Sequence, residues 1–170
     1  MTLVKRAEAH WPASDEDSVP ALAGFVMSDF SPLVAEVARR CLEQVTVSPR
    51  TAVIIVSATG DLETAAAIAK AVDAGQRPGP LLFYQAVPNA VAGYVAARWG
   101  LGGPVVCLAS PDGGLATAAL LIEDGDADEA LVVFAEQATD PTGRDSAVAV
   151  LVRPEPAAPA WPEQSERNNL

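Results

Sequence analysis

Two cysteines, one histidine and one run of carboxylates are the residues in this chain that could do chemistry. They are Cys41, Cys107, His10 and the stretch "EDGDADE" at 123–129. A cysteine nucleophile reacts as the thiolate, which a helix N-terminus stabilises through its macrodipole and free N–H groups. Cys107 stands in "PVVCLASPDGG" at 104–114, an apolar run followed by a turn. The next helix begins only after that turn, so Cys107 belongs to a strand, faces a packed layer and is expected to stay protonated. Where strand gives way to helix the sequence offers Ser110, Pro111, Asp112, Gly113 and Gly114. Asp112 reads there as an N-cap, and its carboxylate would repel a thiolate.

His10 would have to approach a nucleophile from a terminal segment to complete a Ser–His–Asp or Cys–His arrangement. An ordinary, partly exposed histidine is the simpler reading. The run at 123–129 lies between a helix end and a strand, where solvated loop charge is the usual outcome. Neither it nor the cysteines has the spacing of metal ligands. "SATGDLETA" follows a strand and opens a helix, yet contains neither GxGxxG nor GxxxxGK[ST], and "GLGGP" precedes a strand instead of a helix. No metal and no cofactor is expected.

The elements that must position these groups are legible from periodicity. "TLVKRAEAHW" (2–11) reads as an edge strand, and "PASDEDSVP" as a loop. "SPLVAEVARRCLEQV" (31–45) reads as a helix with Ser31 as N-cap and Pro32 in its first position. Its apolar stripe of Leu33, Val34, Val37, Ala38, Cys41, Leu42 and Val45 makes Cys41 a core thiol. "TAVIIVSATG" (51–60) has the β-branched continuity of a strand buried on both faces. "DLETAAAIAKAVDAG" (61–75) is a helix stopped by Gly75, and the latter part of 81–101 is a helix rich in small residues. "PVVCLAS" (104–110) reads as a second buried strand, 113–125 as a helix and 129–138 as a strand. After the turn "PTGRD", 146–154 is a final strand, antiparallel because its connection is too short for a crossover. The order implies a single α/β domain over 1–154, built on one mixed, mostly parallel sheet of about five strands. The Pro-rich, polar tail 155–170 is expected to be extended or disordered.

Composition narrows the function. Half the residues are hydrophobic and only 5% are aromatic, so the core is built from small side chains that pack closely. The net charge of −11 argues against a phosphate-backbone partner, and so against nucleic acid. No stretch reaches the roughly 18 apolar residues of a membrane span, and the N-terminus lacks the apolar core of a signal peptide. A cytoplasmic protein with reduced thiols is expected.

The segment from Phe83 to Ala138 resembles the N-terminal half of β-ketoacyl synthases of the thiolase fold. The resemblance rests on Phe83, Pro88, Asn89 and Gly93, then Gly100, Leu101, Gly103 and Pro104, a strand, a helix, and Gly125, Ala127 and Asp128 leading into the next strand. A looser likeness runs from Thr51 to about Arg153. In that family the nucleophilic Cys opens the helix after the strand. Counting forward from Gly103-Pro104 places that position near Asp112, and counting back from Gly125 places it near Leu108. Neither carries a cysteine. The family's second half, which supplies the histidines, or histidine and asparagine, for malonyl decarboxylation, is not expected to have a counterpart in this sequence.

The resemblance therefore implies half of a thiolase-like fold and a non-catalytic ketosynthase-like subunit of the chain-length-factor kind. It implies a homodimer, or a heterodimer with a ketosynthase-type subunit, and an acyl carrier protein as a possible partner. Family dimers pair the strand before the nucleophile, here Val105, Val106, Cys107, Leu108 and Ala109, and the missing half leaves apolar helix surface to cover. Two alternatives stand beside this. One is an acyl-thioester transferase using Cys107 with histidines from a partner chain, and the other is a small α/β binding module sharing only local pattern.

Overall fold

The computed structural model describes residues 1–140 and 142–156. The tail expected at 155–170 lies outside the described residues beyond Pro156, as does Pro141 of the turn at 141–145. In chain order the elements are β1 (Leu3–Trp11), α1 (Phe30–Leu42), β2 (Thr51–Val56), α2 (Leu62–Asp73) and α3 (Pro80–Gln85). They continue with α4 (Pro88–Trp99), β3 (Val105–Leu108), α5 (Gly113–Glu123), β4 (Glu129–Glu136) and β5 (Ser146–Pro154). The strands form one sheet in the order β1-β5-β4-β2-β3. β2 pairs parallel with β4 on one side and with β3 on the other, while β5 is antiparallel to both β4 and β1. Only β5 runs against its fellows, so the sheet is mixed and mostly parallel.

The continuous apolar run of β2 has its expected cause, since every residue of the strand is buried. One face of the sheet packs against α1 and α4, where Phe30, Leu33, Val37 and Val91 meet Val53, Ile55 and Leu131. The other face carries α5 alone, whose Ala118 and Ile122 lie on Ala52, Ile54, Val56 and Val132. The small side chains set these distances. A Cβ on Gly114 would stand 2.9 Å from Val56 Cγ2 and 3.2 Å from Phe134 Cζ, so α5 sits too low on the sheet for any larger residue there.

Three expectations need correction. β3 is not a buried strand but an open edge, with Val105 39% exposed. Its apolar run has the look of a core strand, but among the described residues nothing pairs with its outer side. Ser31 is not an N-cap: α1 starts at Phe30, whose fully buried ring draws the preceding residues into the helix. Ser31 Oγ is instead buried without a partner, and Ser28 Oγ accepts from Phe30 N–H at 3.0 Å. The same helix ends at Leu42, so Val45 packs on the core from the following loop. The segment before α4, left unassigned by the sequence pattern, forms a short helix of its own, α3, with Pro80 in its first turn.

The two sheet edges differ in kind. β1, the expected edge strand, carries Lys5, Glu8 and His10 and has a register shift between Lys5 and Ala7. β3 has four residues and no charge.

Gly103 is the most closely approached of the glycines among the described residues. A Cβ there would lie 2.5 Å from the carbonyl of Thr51 and 2.6 Å from the Ala52 nitrogen, backbone atoms that cannot step aside. Gly103→Ala is therefore expected to cost about 2–4 kcal/mol in urea denaturation. Gly114→Ala, which meets only side-chain atoms, should cost about half as much. Equal losses would contradict the rigid contact at Gly103.

Candidate functional site

The parallel strands β2 and β3 end side by side, and α5 rises from the turn that follows β3. Ligands of parallel α/β sheets bind at this carboxyl end, where loops and helix N-termini converge. The β2–α2 loop is held here by the last residue of β4. Glu136 accepts hydrogen bonds from Ala58 N–H at 2.5 Å, Thr59 Oγ1 at 2.9 Å and Ser57 Oγ at 3.3 Å. Gln137 Oε1 accepts from Leu62 N–H at 2.8 Å, and Asp61 caps α2 through Thr64 N–H at 2.9 Å. Glu136 and Asp61 at this end are thus used in holding loops.

A cleft of about 220 Å³ opens between these strand ends, lined by Ile55, Ser57, Pro88, Cys107, Leu108 and Ala109. Cys107 points to the α1/α4 side and packs against that core, while Val106 and Leu108 point to the α5 side. Burial pushes the Cys107 thiol up to about 11, opposed only in part by a hydrogen bond with the Ile55 backbone. Burial, rather than the Asp112 carboxylate, is what holds it neutral. Cys41 is fully buried, and its thiol is likewise pushed up to about 11. A nucleophile needs the opposite shift.

The start of α5 carries no thiol. Asp112 occupies the N-cap position with Gly113 and Gly114 behind it, but its side chain makes no capping bond, which corrects the expected cap. Leu108 ends β3, one turn of chain earlier. His10 is exposed on β1, at the opposite edge of the sheet. Four strand spacings, roughly 19 Å, separate that edge from β3, so His10 does not serve Cys107. A larger cleft of about 310 Å³ lies between α1, α4 and the segment 20–22, and neither cysteine nor histidine lines it.

The acidic run at 123–129 also divides differently from expectation. Glu129 is not solvated: it is buried, takes Arg6 Nη1 at 2.6 Å, and accepts from Ser48 N–H at 2.6 Å and Thr51 Oγ1 at 3.0 Å. Its place as the first residue of a buried strand was the sequence signal for this. Asp128 accepts from Ser48 Oγ at 2.8 Å and stays exposed beside Arg50. Among the described residues no group of three or more His, Cys, Asp or Glu comes together as metal ligands would. Nor is any helix among them long and apolar enough to cross a membrane.

The residues behind the resemblance mostly shape the backbone around this site. Pro88 and Asn89 open α4, Gly93 lies within it, and Gly100 ends it at φ 65°. Leu101 is buried, Gly103 presses on Thr51, and the Pro104 carbonyl accepts from Val53 N–H at 2.9 Å. Gly125 ends α5 at φ 78°, Ala127 is buried and Asp128 N–H bonds the Arg50 carbonyl at 3.0 Å. Phe83 stands apart, exposed on α3.

The sequence matches the family described as "Beta-ketoacyl synthase, N-terminal domain" over residues 4–160. The chain belongs to this family. The match extends well beyond the local pattern that an unrelated binding module would share. The fold is that of solved ketosynthases. The chain is similar to one in the complex of the ketosynthase ApeO with its chain length factor ApeC from Xenorhabdus doucetiae, at 17% identity and TM-score 0.75, covering 92% of this chain and 81% of that one. It is also similar to the ishigamide ketosynthase/chain length factor, at 21% identity and TM-score 0.67, covering 87% of this chain and 50% of that one. A third similarity is to the AntDE:AntF complex of a type II polyketide acyl-carrier protein with its ketosynthase, at 15% identity and TM-score 0.57, covering 75% and 47%. The chain thus spans about half the length of the latter two. No curated protein matches it.

The state of the thiols is directly measurable. Both ionise near 9 when unperturbed and only towards 11 in the folded chain. At pH 8 iodoacetamide should therefore modify them roughly a hundredfold more slowly in the native chain than in urea. The rate should climb as pH rises towards 11. Because the unfolded thiols ionise first, their contribution to stability is full below pH 9 and is lost between 9 and 11. Rapid alkylation of native Cys107 at pH 7 would contradict this state.

Proposed function

We propose that this chain is a non-catalytic ketosynthase-like subunit that acts by association with a ketosynthase-type partner in polyketide or fatty-acid-type biosynthesis. The observation that carries the reading is the start of α5. The helix that would open on the family's nucleophile opens on Asp112-Gly113-Gly114, and the nearest thiol lies back in β3, neutral and half-buried. With the helix beginning at Gly113, we assign the nucleophile position to Asp112 and not to Leu108. An aspartate there has neither the thiol's nucleophilicity nor an acyl-thioester to form.

The partner surface is the β3 edge. The Pro104 and Leu108 carbonyls bond to β2, at Val53 and Ser57, so by strand alternation Val105 and Cys107 turn their N–H and C=O groups outward. An unpaired, uncharged edge of this kind is a template for another strand. Solved relatives support the choice of partner, since two are complexes or pairs of a ketosynthase with a chain length factor. The matched chain of the first is close to this one in length. An acyl carrier protein, held by its ketosynthase in the AntDE:AntF complex, is a further candidate.

The cleft beside Cys107 favours one other reading, an acyl-thioester transferase completed by a partner's histidines. An electrophilic acyl-CoA analogue separates the two. Under the transferase reading Cys107 is labelled much faster than Cys41, and under the subunit reading both are slow.

The association is tested by co-purification with a ketosynthase encoded beside this chain, with sizing by light scattering. Val105→Pro removes an outward N–H without touching a bond to β2. It should abolish the complex while leaving the circular dichroism melt of the chain unchanged. A complex that survives Val105→Pro, or a ketosynthase that never binds the native chain, would overturn the proposal.

A further inference from the structure

We draw no further inference here: the strongest candidate, the apolar cleft between α1, α4 and the segment 20–22, has Glu36, Arg39 and Glu43 on its rim satisfying one another, and nothing in the structure shows what covers it.

Discussion

Everything in this chain is arranged around one strand enclosed on four sides. β2 has a strand on each flank and helices above and below, and none of its residues reaches solvent. An apolar hexapeptide held that way needs its entry and exit fixed, because the polar groups of the adjoining loops must be satisfied at the core's margin. Both fixings come from β4. Glu129 at its start bonds Ser48 N–H and Thr51 Oγ1, and Glu136 at its end bonds Ala58 N–H and Thr59 Oγ1. Between these two carboxylates β4 is an apolar run in register with β2 from Thr51 to Val56. Arg6 from β1 neutralises Glu129, which links the central strand to the far edge of the sheet.

This frame explains why part of the molecule was legible in the sequence. β2 and β4 announce themselves because burial on both faces demands nearly uninterrupted β-branched and aliphatic residues. The antiparallel β5 followed from a connection too short to cross over. What local pattern misses is anything set by distant partners. β3 has the composition of an interior strand, yet it is the sheet's edge. Ser31 has the right type for a cap but lies one residue inside a helix that Phe30 starts early. Glu129 closes a run of acids that reads as loop charge, and its partners Arg6, Ser48 and Thr51 all lie at least 78 residues away in sequence.

The region around the α5 N-terminus separates the demands of a fold from those of a reaction. Gly103, Gly114 and the αL glycines Gly100 and Gly125 keep the close approaches and turns that bring strand ends and helix start together. These are demands of backbone geometry and hold whether or not chemistry follows. The reactive thiol makes a different demand, an environment that favours negative charge. Here the only thiol nearby is desolvated, and the helix start presents a carboxylate instead.

The unlike edges of the sheet bear on how large an assembly can grow. β1 ends the sheet with Lys5, Glu8, His10 and an irregular register, devices that discourage a further strand. β3 ends it with nothing of the kind. A sheet with two such bare edges could add copies without limit and become a fibre. With one, the first strand to arrive uses up the only vacancy, and the growing edge is capped by the charged margin of the molecule itself.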